Sequence, residues 1–234
     1  MVDRVSAKMA HEHYIDKWLT LYEYDAYREW LFSGIIKILK EYVSHGAVLE
    51  LGCSKGYLCM LLDHKGYYSV GGDVSLSALQ SANRKVEVVR LDAEALPFRN
   101  GYFDAVLAMH TLEHLPKPHR SIEEIFRVLR NKGIFLAVTP DKASLLAKLG
   151  YRLVKYTSLK NPYHVGLMNR RELRTFMSNG GFKDFIILPF HNGFLGAPIV
   201  RKVFKGEFIP LPISTKAVIP ISHHQLVVAV KSRT

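Results

Sequence analysis

The residues with the most chemistry to offer in this 234-residue chain are gathered between Glu50 and Asp73. Gly52 and Gly56 bracket the turn Gly52-Cys53-Ser54-Lys55-Gly56, where residues without a Cβ allow positive φ and let a ligand approach backbone N–H groups. Asp73 follows Gly52 by 21 residues, about the spacing at which an acidic side chain of a nucleotide-binding βαβ unit reaches a ribose. Together they outline a nucleoside site. The glycine spacing differs from the dinucleotide fingerprint, in which one residue separates the first two glycines, so nicotinamide and flavin binding are disfavoured. A tight strand-to-helix turn needing glycine for backbone geometry alone is the other reading of these residues.

A second group carries titratable side chains. His110, Glu113 and His114 follow the apolar run Phe103–Met109, and His164 lies in the segment NPYHVGLMNRREL. Imidazole titrates near neutral pH, so His110 and His164 are candidate catalytic bases, with a hydrogen-bonded scaffold role as the competing reading of each. His223-His224 with His191 and His164 would invite a metal, but no paired cysteines or helical histidine spacing supports one, and none is expected. Cys53 and Cys59 are the two cysteines; their spacing is neither a disulfide framework nor a zinc motif, which points to a reduced intracellular protein.

Thirty-two Lys and Arg against 21 Asp and Glu give a net charge of +11, compatible with nucleic acid, anionic lipid or an acidic partner and equally with a solvated basic surface. With 48% hydrophobic residues the chain can bury a full core in one domain, with or without an appendage. Met1–Ala10 carries charge without an apolar core, and no run is long enough to span a bilayer. A cytoplasmic location is therefore expected.

The elements that must hold these groups follow from periodicity. Apolar residues at three-and-four spacing predict an amphipathic helix over Tyr22–Tyr42, packed on the sheet edge or over the site. Strands are predicted at Val48–Leu51, Ser69–Asp73, Glu87–Leu91, Phe103–Met109 and Gly133–Thr139, alternating with helices at Tyr57–His64, Leu76–Arg84 and Ser121–Leu129. Asn131-Lys132-Gly133 is read as the stop of the last of these helices. Strict alternation implies right-handed crossovers and an α/β, doubly wound, mostly parallel sheet with helices on both faces. Beyond Pro140 the pattern gives helices at Ala143–Val154 and Asn169–Ser178 and strands at Phe182–Leu188 and Gln225–Lys231. Residues 1–45 are thus an N-terminal helical segment on a 46–234 domain, with a proline- and glycine-rich, cap-like insertion at 189–224.

Read in order, VLELGCSKG, GGDVS, LDAEALPFRNGYFDAV, MHTLEHL and EIFRVLRNKGIFLAVTP resemble the class I S-adenosylmethionine-dependent methyltransferases. The resemblance spans Val48–Gly181 and is nearest the small-molecule branch that includes ubiquinone- and menaquinone-biosynthesis enzymes. It implies a seven-stranded sheet of order 3-2-1-4-5-7-6 with the last strand antiparallel, and S-adenosylmethionine across the carboxyl ends of the strands. By the same resemblance Glu50 and the backbone of Gly52, Cys53, Ser54 and Gly56 face the methionine moiety, and Asp73 accepts the ribose hydroxyls. Val74 packs on the adenine, Asp92 and the Ala93 N–H meet its polar edge, and Met109 and His110 line the sulfonium end. Ser54 stands where the family usually has glycine, so binding there is expected to be adjusted.

Three readings of the acceptor remain open on sequence. The aromatic, proline-rich insertion and the Tyr- and Trp-rich segment before the core favour a small or lipid-like molecule methylated on O, C or N. The basic charge favours RNA or protein, although Met109-His110-Thr111-Leu112 replaces the Asn-Pro-Pro-Tyr type of motif and no Pro-Cys nucleophile is present. The third is a cofactor-binding scaffold without catalysis.

Overall fold

The computed structural model describes residues 26–82, 85–144, 162–190 and 224–232. Seven strands form one sheet: β1 Ala47–Leu51, β2 Tyr68–Asp73, β3 Glu87–Arg90, β4 Phe103–Met109, β5 Leu129–Pro140, β6 Asp184–Phe190 and β7 His224–Val230. Their order is β3-β2-β1-β4-β5-β7-β6, as the family resemblance implied. The first five run parallel, and β7 is antiparallel to both β5 and β6. Among the described residues five α-helices accompany them, α1 Ala26–Tyr42, α2 Tyr57–Asp63, α3 Leu76–Gln80, α4 Pro118–Val128 and α5 Arg170–Asn179, with a 3-10 turn at Leu112–His114.

The pleat sorts side chains onto two faces. In β4, Val106 and Ala108 point to the core shared with Ile122 and Ile125 of α4 and Leu173 and Met177 of α5. Ala105, Leu107 and Met109 point to the opposite core, with Leu31, Ile35 and Leu39 of α1 and Leu58 and Leu62 of α2. Both faces of the central strands are therefore buried, which is why β1 and β4 read as nearly unbroken apolar runs. Helix α1 lies against this sheet, with Trp30 and Phe190 ring centroids 5.6 Å apart.

Three boundaries depart from expectation. Helix α3 stops at Gln80, where the bonding tightens to i→i−3: the Ser81 N–H is shared with the Ala78 carbonyl at 3.1 Å and the Ala82 N–H donates to the Leu79 carbonyl at 3.0 Å, while the Ser81 hydroxyl competes for the Ser77 carbonyl. Helix α4 begins at Pro118, where a proline at the first position has no N–H to lose, and ends at Val128 as Leu129 turns extended. The Asn131-Lys132-Gly133 stop is thus part of β5: Lys132 takes φ +65° and donates its N–H to the Lys231 carbonyl, beside a register shift between β4 and β5. Residues 145–161 and 191–223 lie outside the described residues, and with them most of the Ala143–Val154 helix and of the insertion. No helix among the described residues is long and apolar enough to cross a membrane.

Candidate functional site

Strand β1 lies between β2 and β4, so the crossovers leave the sheet in opposite directions there and open a crevice at the carboxyl ends. The glycine turn fills its floor. Gly52, Ser54 and Gly56 have φ of +71°, +52° and +74°, a left-handed residue at every second position. At Gly52 a Cβ would lie 2.5 Å from Thr111 Oγ1, which itself donates to the Leu51 carbonyl at 2.8 Å. Glycine is needed there on both counts. Ser54 takes the same backbone region at a cost of roughly 1–2 kcal/mol, which explains physically why glycine is favoured at its position.

That geometry turns N–H groups toward β2. Gly52 and Cys53 donate to the Gly72 carbonyl at 2.7 and 3.1 Å, while Ser54 N–H donates to Asp73 Oδ2 at 2.9 Å. Asp73 Oδ1 accepts from Ser75 N–H at 2.9 Å, so the turn and the start of α3 together fix the carboxylate at the strand end. Asp73 and the turn are one hydrogen-bonded unit.

Glu50 faces elsewhere. Its Oε2 accepts from the N–H and the thiol of Cys59 in α2, at 3.2 and 3.0 Å. Burial pushes this carboxyl up to about 8, with Asp73 adding to the rise and the Cys59 bonds and the Arg28 charge opposing it. It is a neutral acid at neutral pH. Cys53 and Cys59 are buried free thiols, raised by burial first and by Glu50 second, and a Cβ on Gly71 would lie 2.7 and 3.1 Å from their sulfurs. They pack against β2, and only the Cys53 backbone belongs to the turn.

The remaining adenine-side residues stand along the ends of β2 and β3. The Val74 carbonyl accepts from Arg90 Nε at 3.1 Å, Asp92 is exposed with Oδ1 bonded to the Glu94 N–H at 2.9 Å, and Ala93 is buried.

At the end of β4, Met109 is buried and His110 takes φ +57°, donating its N–H to the Val138 carbonyl at 2.8 Å. His110 Nδ1 lies 3.3 Å from Glu113 Oε1, and its ring meets that of His224 edge-on at 4.9 Å. Glu113 is 1% exposed and accepts from Thr139 Oγ1 at 3.0 Å through its other oxygen. Burial alone would push this carboxyl up; the His110 hydrogen bond and the positive ends of His110, His114 and His164 outweigh it and hold it at about 2.

His164 reaches the same place on residues 162–168. The Gly166 N–H donates to the Glu113 carbonyl at 2.8 Å, and a Cβ there would come within 2.3 Å of the Leu115 oxygen. The close approach that only glycine permits brings the His164 ring within 4.7 Å of that of His114, whose Nδ1 donates to the Tyr163 carbonyl at 3.1 Å. The structure thus gathers His110, Glu113, His114 and His164. Ligand atoms of Glu113, His114 and His164 lie within 4.8 Å of one another, the described grouping with the make-up to hold a metal ion. Glu113 would give up His110 or Thr139 to do so. Thr139 and Thr111 were not singled out from sequence, since each ends or follows an apolar strand and matters only through a partner 26 or 60 residues away.

Comparison with known proteins converges on one class. Residues 49–137 match the family model described as a methyltransferase domain. A probable S-adenosylmethionine-dependent methyltransferase of Mycobacterium tuberculosis is 28% identical over 149 residues, covering 62% of this chain and 52% of that protein. An uncharacterized protein of Methanocaldococcus jannaschii is 29% identical over 178 residues, covering 76% and 80% of the two chains. The chain spans about half the length of the first of these relatives. Among solved structures, a Thermotoga maritima S-adenosylmethionine-dependent methyltransferase, described as a possible histamine N-methyltransferase, superposes with TM-score 0.67 at 19% identity, over 97% of this chain and all of that one. The fold is therefore the Rossmann-like one of these methyltransferases. Residues 49–137 match a methyltransferase domain, and the relatives and fold neighbours that this chain resembles include S-adenosylmethionine-dependent methyltransferases.

Proposed function

We propose that this protein transfers a methyl group from S-adenosylmethionine to the oxygen, carbon or nitrogen of a small or lipid-like acceptor. The observation that carries the reading is the Asp73 carboxylate, buried at the end of β2 and fixed by the Ser54 and Ser75 N–H groups beside the left-handed turn. A fixed carboxylate suits a vicinal diol, which is the group a ribose offers. In this reading the turn from Gly52 to Gly56 borders the methionine end, Val74, Asp92 and Ala93 border the adenine, and Met109 and His110 border the methyl group. Bound S-adenosylmethionine supplies an already activated methyl, so the protein's part is to align the acceptor, exclude water and, where the acceptor holds a proton, remove it.

In this reading His110 or His164 would take that proton. Two buried free cysteines accord with a reducing, cytoplasmic setting. The net charge of +11 favours RNA or an acidic protein as a second class of acceptor, and that version requires binding that weakens steeply as salt rises. Titration calorimetry with S-adenosylmethionine tests the cofactor site. Asp73→Asn should weaken binding about 10- to 100-fold, the worth of hydrogen bonds to a charged group, with the fold retained by circular dichroism. Unchanged affinity would overturn the assignment.

A further inference from the structure

We propose that Glu113, His114 and His164 bind a divalent transition-metal ion of the zinc type, which fastens residues 162–168 to the turn after β4. The proposal goes beyond the cofactor reading and does not depend on it.

The ligands come from distant parts of the chain. Glu113 and His114 are neighbours on the 3-10 turn Leu112–His114, and Thr111 just before it is tied to the end of β1 through its bond to the Leu51 carbonyl. His164 arrives on the segment before α5, held down by the Gly166 N–H bond to the Glu113 carbonyl at 2.8 Å. Because the third ligand lies so far along the sequence, no local spacing announces the site. One ligand atom from each side chain lies within 4.8 Å of the other two. Bonds of about 2.0–2.2 Å in a tetrahedral site place ligand atoms about 3.3–3.6 Å apart, so closing on an ion takes side-chain movements of roughly 1 Å.

The surrounding hydrogen bonds present these groups as ligands. A carbonyl oxygen only accepts, so the His114 Nδ1 that meets the Tyr163 carbonyl at 3.1 Å carries the proton and Nε2 carries the lone pair. Metal-ligating imidazoles are characteristically held in this way, through their other nitrogen. Thr139 Oγ1 holds one oxygen of Glu113 at 3.0 Å; the other, 3.3 Å from His110 Nδ1, has the weaker partner to exchange for an ion.

Charge and donor type agree. Glu113 is 1% exposed, and among the described residues no lysine or arginine pairs with it, so a coordinated cation offsets a buried negative charge. Two imidazoles and one carboxylate favour Zn2+ and its neighbours over Mg2+ or Ca2+, which take oxygen ligands. Water completes the coordination. The lone pair of a coordinated His164 is engaged, which leaves His110 as the candidate base.

The test titrates zinc chloride by calorimetry into the full chain after a chelator has been applied and removed. One ion should bind per chain with Kd of about 1 μM or tighter, and the melting temperature should rise with Zn2+ concentration. H164A and E113Q should each weaken binding about 100-fold or more, while H119Q on the exposed face of α4 leaves it unchanged. Amide hydrogen exchange over residues 162–168 should slow about 10-fold or more with Zn2+ in wild type and not in H164A. Co2+ in place of Zn2+ should give visible absorption without a thiolate-to-metal band, which separates this site from one at the buried Cys53 and Cys59.

Absence of heat with Zn2+, unchanged affinity in H164A, an equal loss in H119Q, a thiolate band with Co2+, or exchange that bound Zn2+ does not slow would each overturn the proposal. If E113Q does not fold, H164A and the cobalt spectrum decide it.

Discussion

Glu50 shows how a residue of the right type in the right place takes on a different state from the one its sequence position suggests. The expectation puts a carboxylate opposite the cofactor's ammonium group; the structure shows a carboxyl bonded to Cys59 and pushed by burial to about 8. These two states are separable by experiment. A group with that value is about nine-tenths protonated at pH 7, and an ammonium brought against it would drive the proton off. Calorimetric binding of S-adenosylmethionine in buffers of different ionisation enthalpy should therefore show close to one proton released per site, and Glu50→Gln should remove the release. Binding without proton release would mean that the acid stays turned toward α2. The turn and Asp73 were legible in the sequence because their chemistry is local, through glycine spacing and a strand end. The Glu113–Thr139 bond was not, since strand pairing creates it across 26 residues.

At the scale of elements, regular alternation made the doubly wound, mostly parallel sheet readable while the family resemblance supplied its strand order, and β4 was located residue for residue because the largely apolar run between Tyr102 and His110 admits little else. Helix ends were harder, for capping depends on partners in space. Helix α5 is closed by a reciprocal pair in which Asn169 Oδ1 accepts from Glu172 N–H and Glu172 Oε2 from Asn169 N–H, both at 2.9 Å. The segment just before it is positioned by contact rather than by any local signal: Gly166 lies against the Leu112 and Leu115 carbonyls, and Gln225 Nε2 donates to the Met168 carbonyl at 2.9 Å. Gly166→Ala should displace residues 162–168, because the obstructing atoms are backbone oxygens that cannot swing aside. The urea midpoint should fall by the equivalent of about 1–3 kcal/mol, and the His164 ring resonances should shift with those of His114. An unchanged midpoint would show that this segment yields freely.

For the whole molecule, the two buried carboxyls set opposite dependences of stability on pH. Glu113 has a folded-state value of about 2, below that of an ordinary carboxyl. Its contribution is present above the unfolded value near 4.3 and is lost as pH falls through the folded one. Glu50, raised to about 8, behaves inversely: its contribution is complete below the unfolded value and drains away as pH rises through the folded one. Each pH unit between the two values is worth roughly 1.4 kcal/mol at a single site. The melting temperature of Glu50→Gln relative to wild type should therefore climb between about pH 5 and about pH 8 and level off beyond, while the deficit of Glu113→Gln should shrink as pH falls from about 5 toward 2. Thermal melts of both variants across that range check the two signs together. A flat difference for Glu50→Gln would mean that water or Arg28 solvates its carboxylate well enough to cancel the effect of burial, and the neutral acid beside the glycine turn would have to be replaced by an anion already suited to an ammonium ligand.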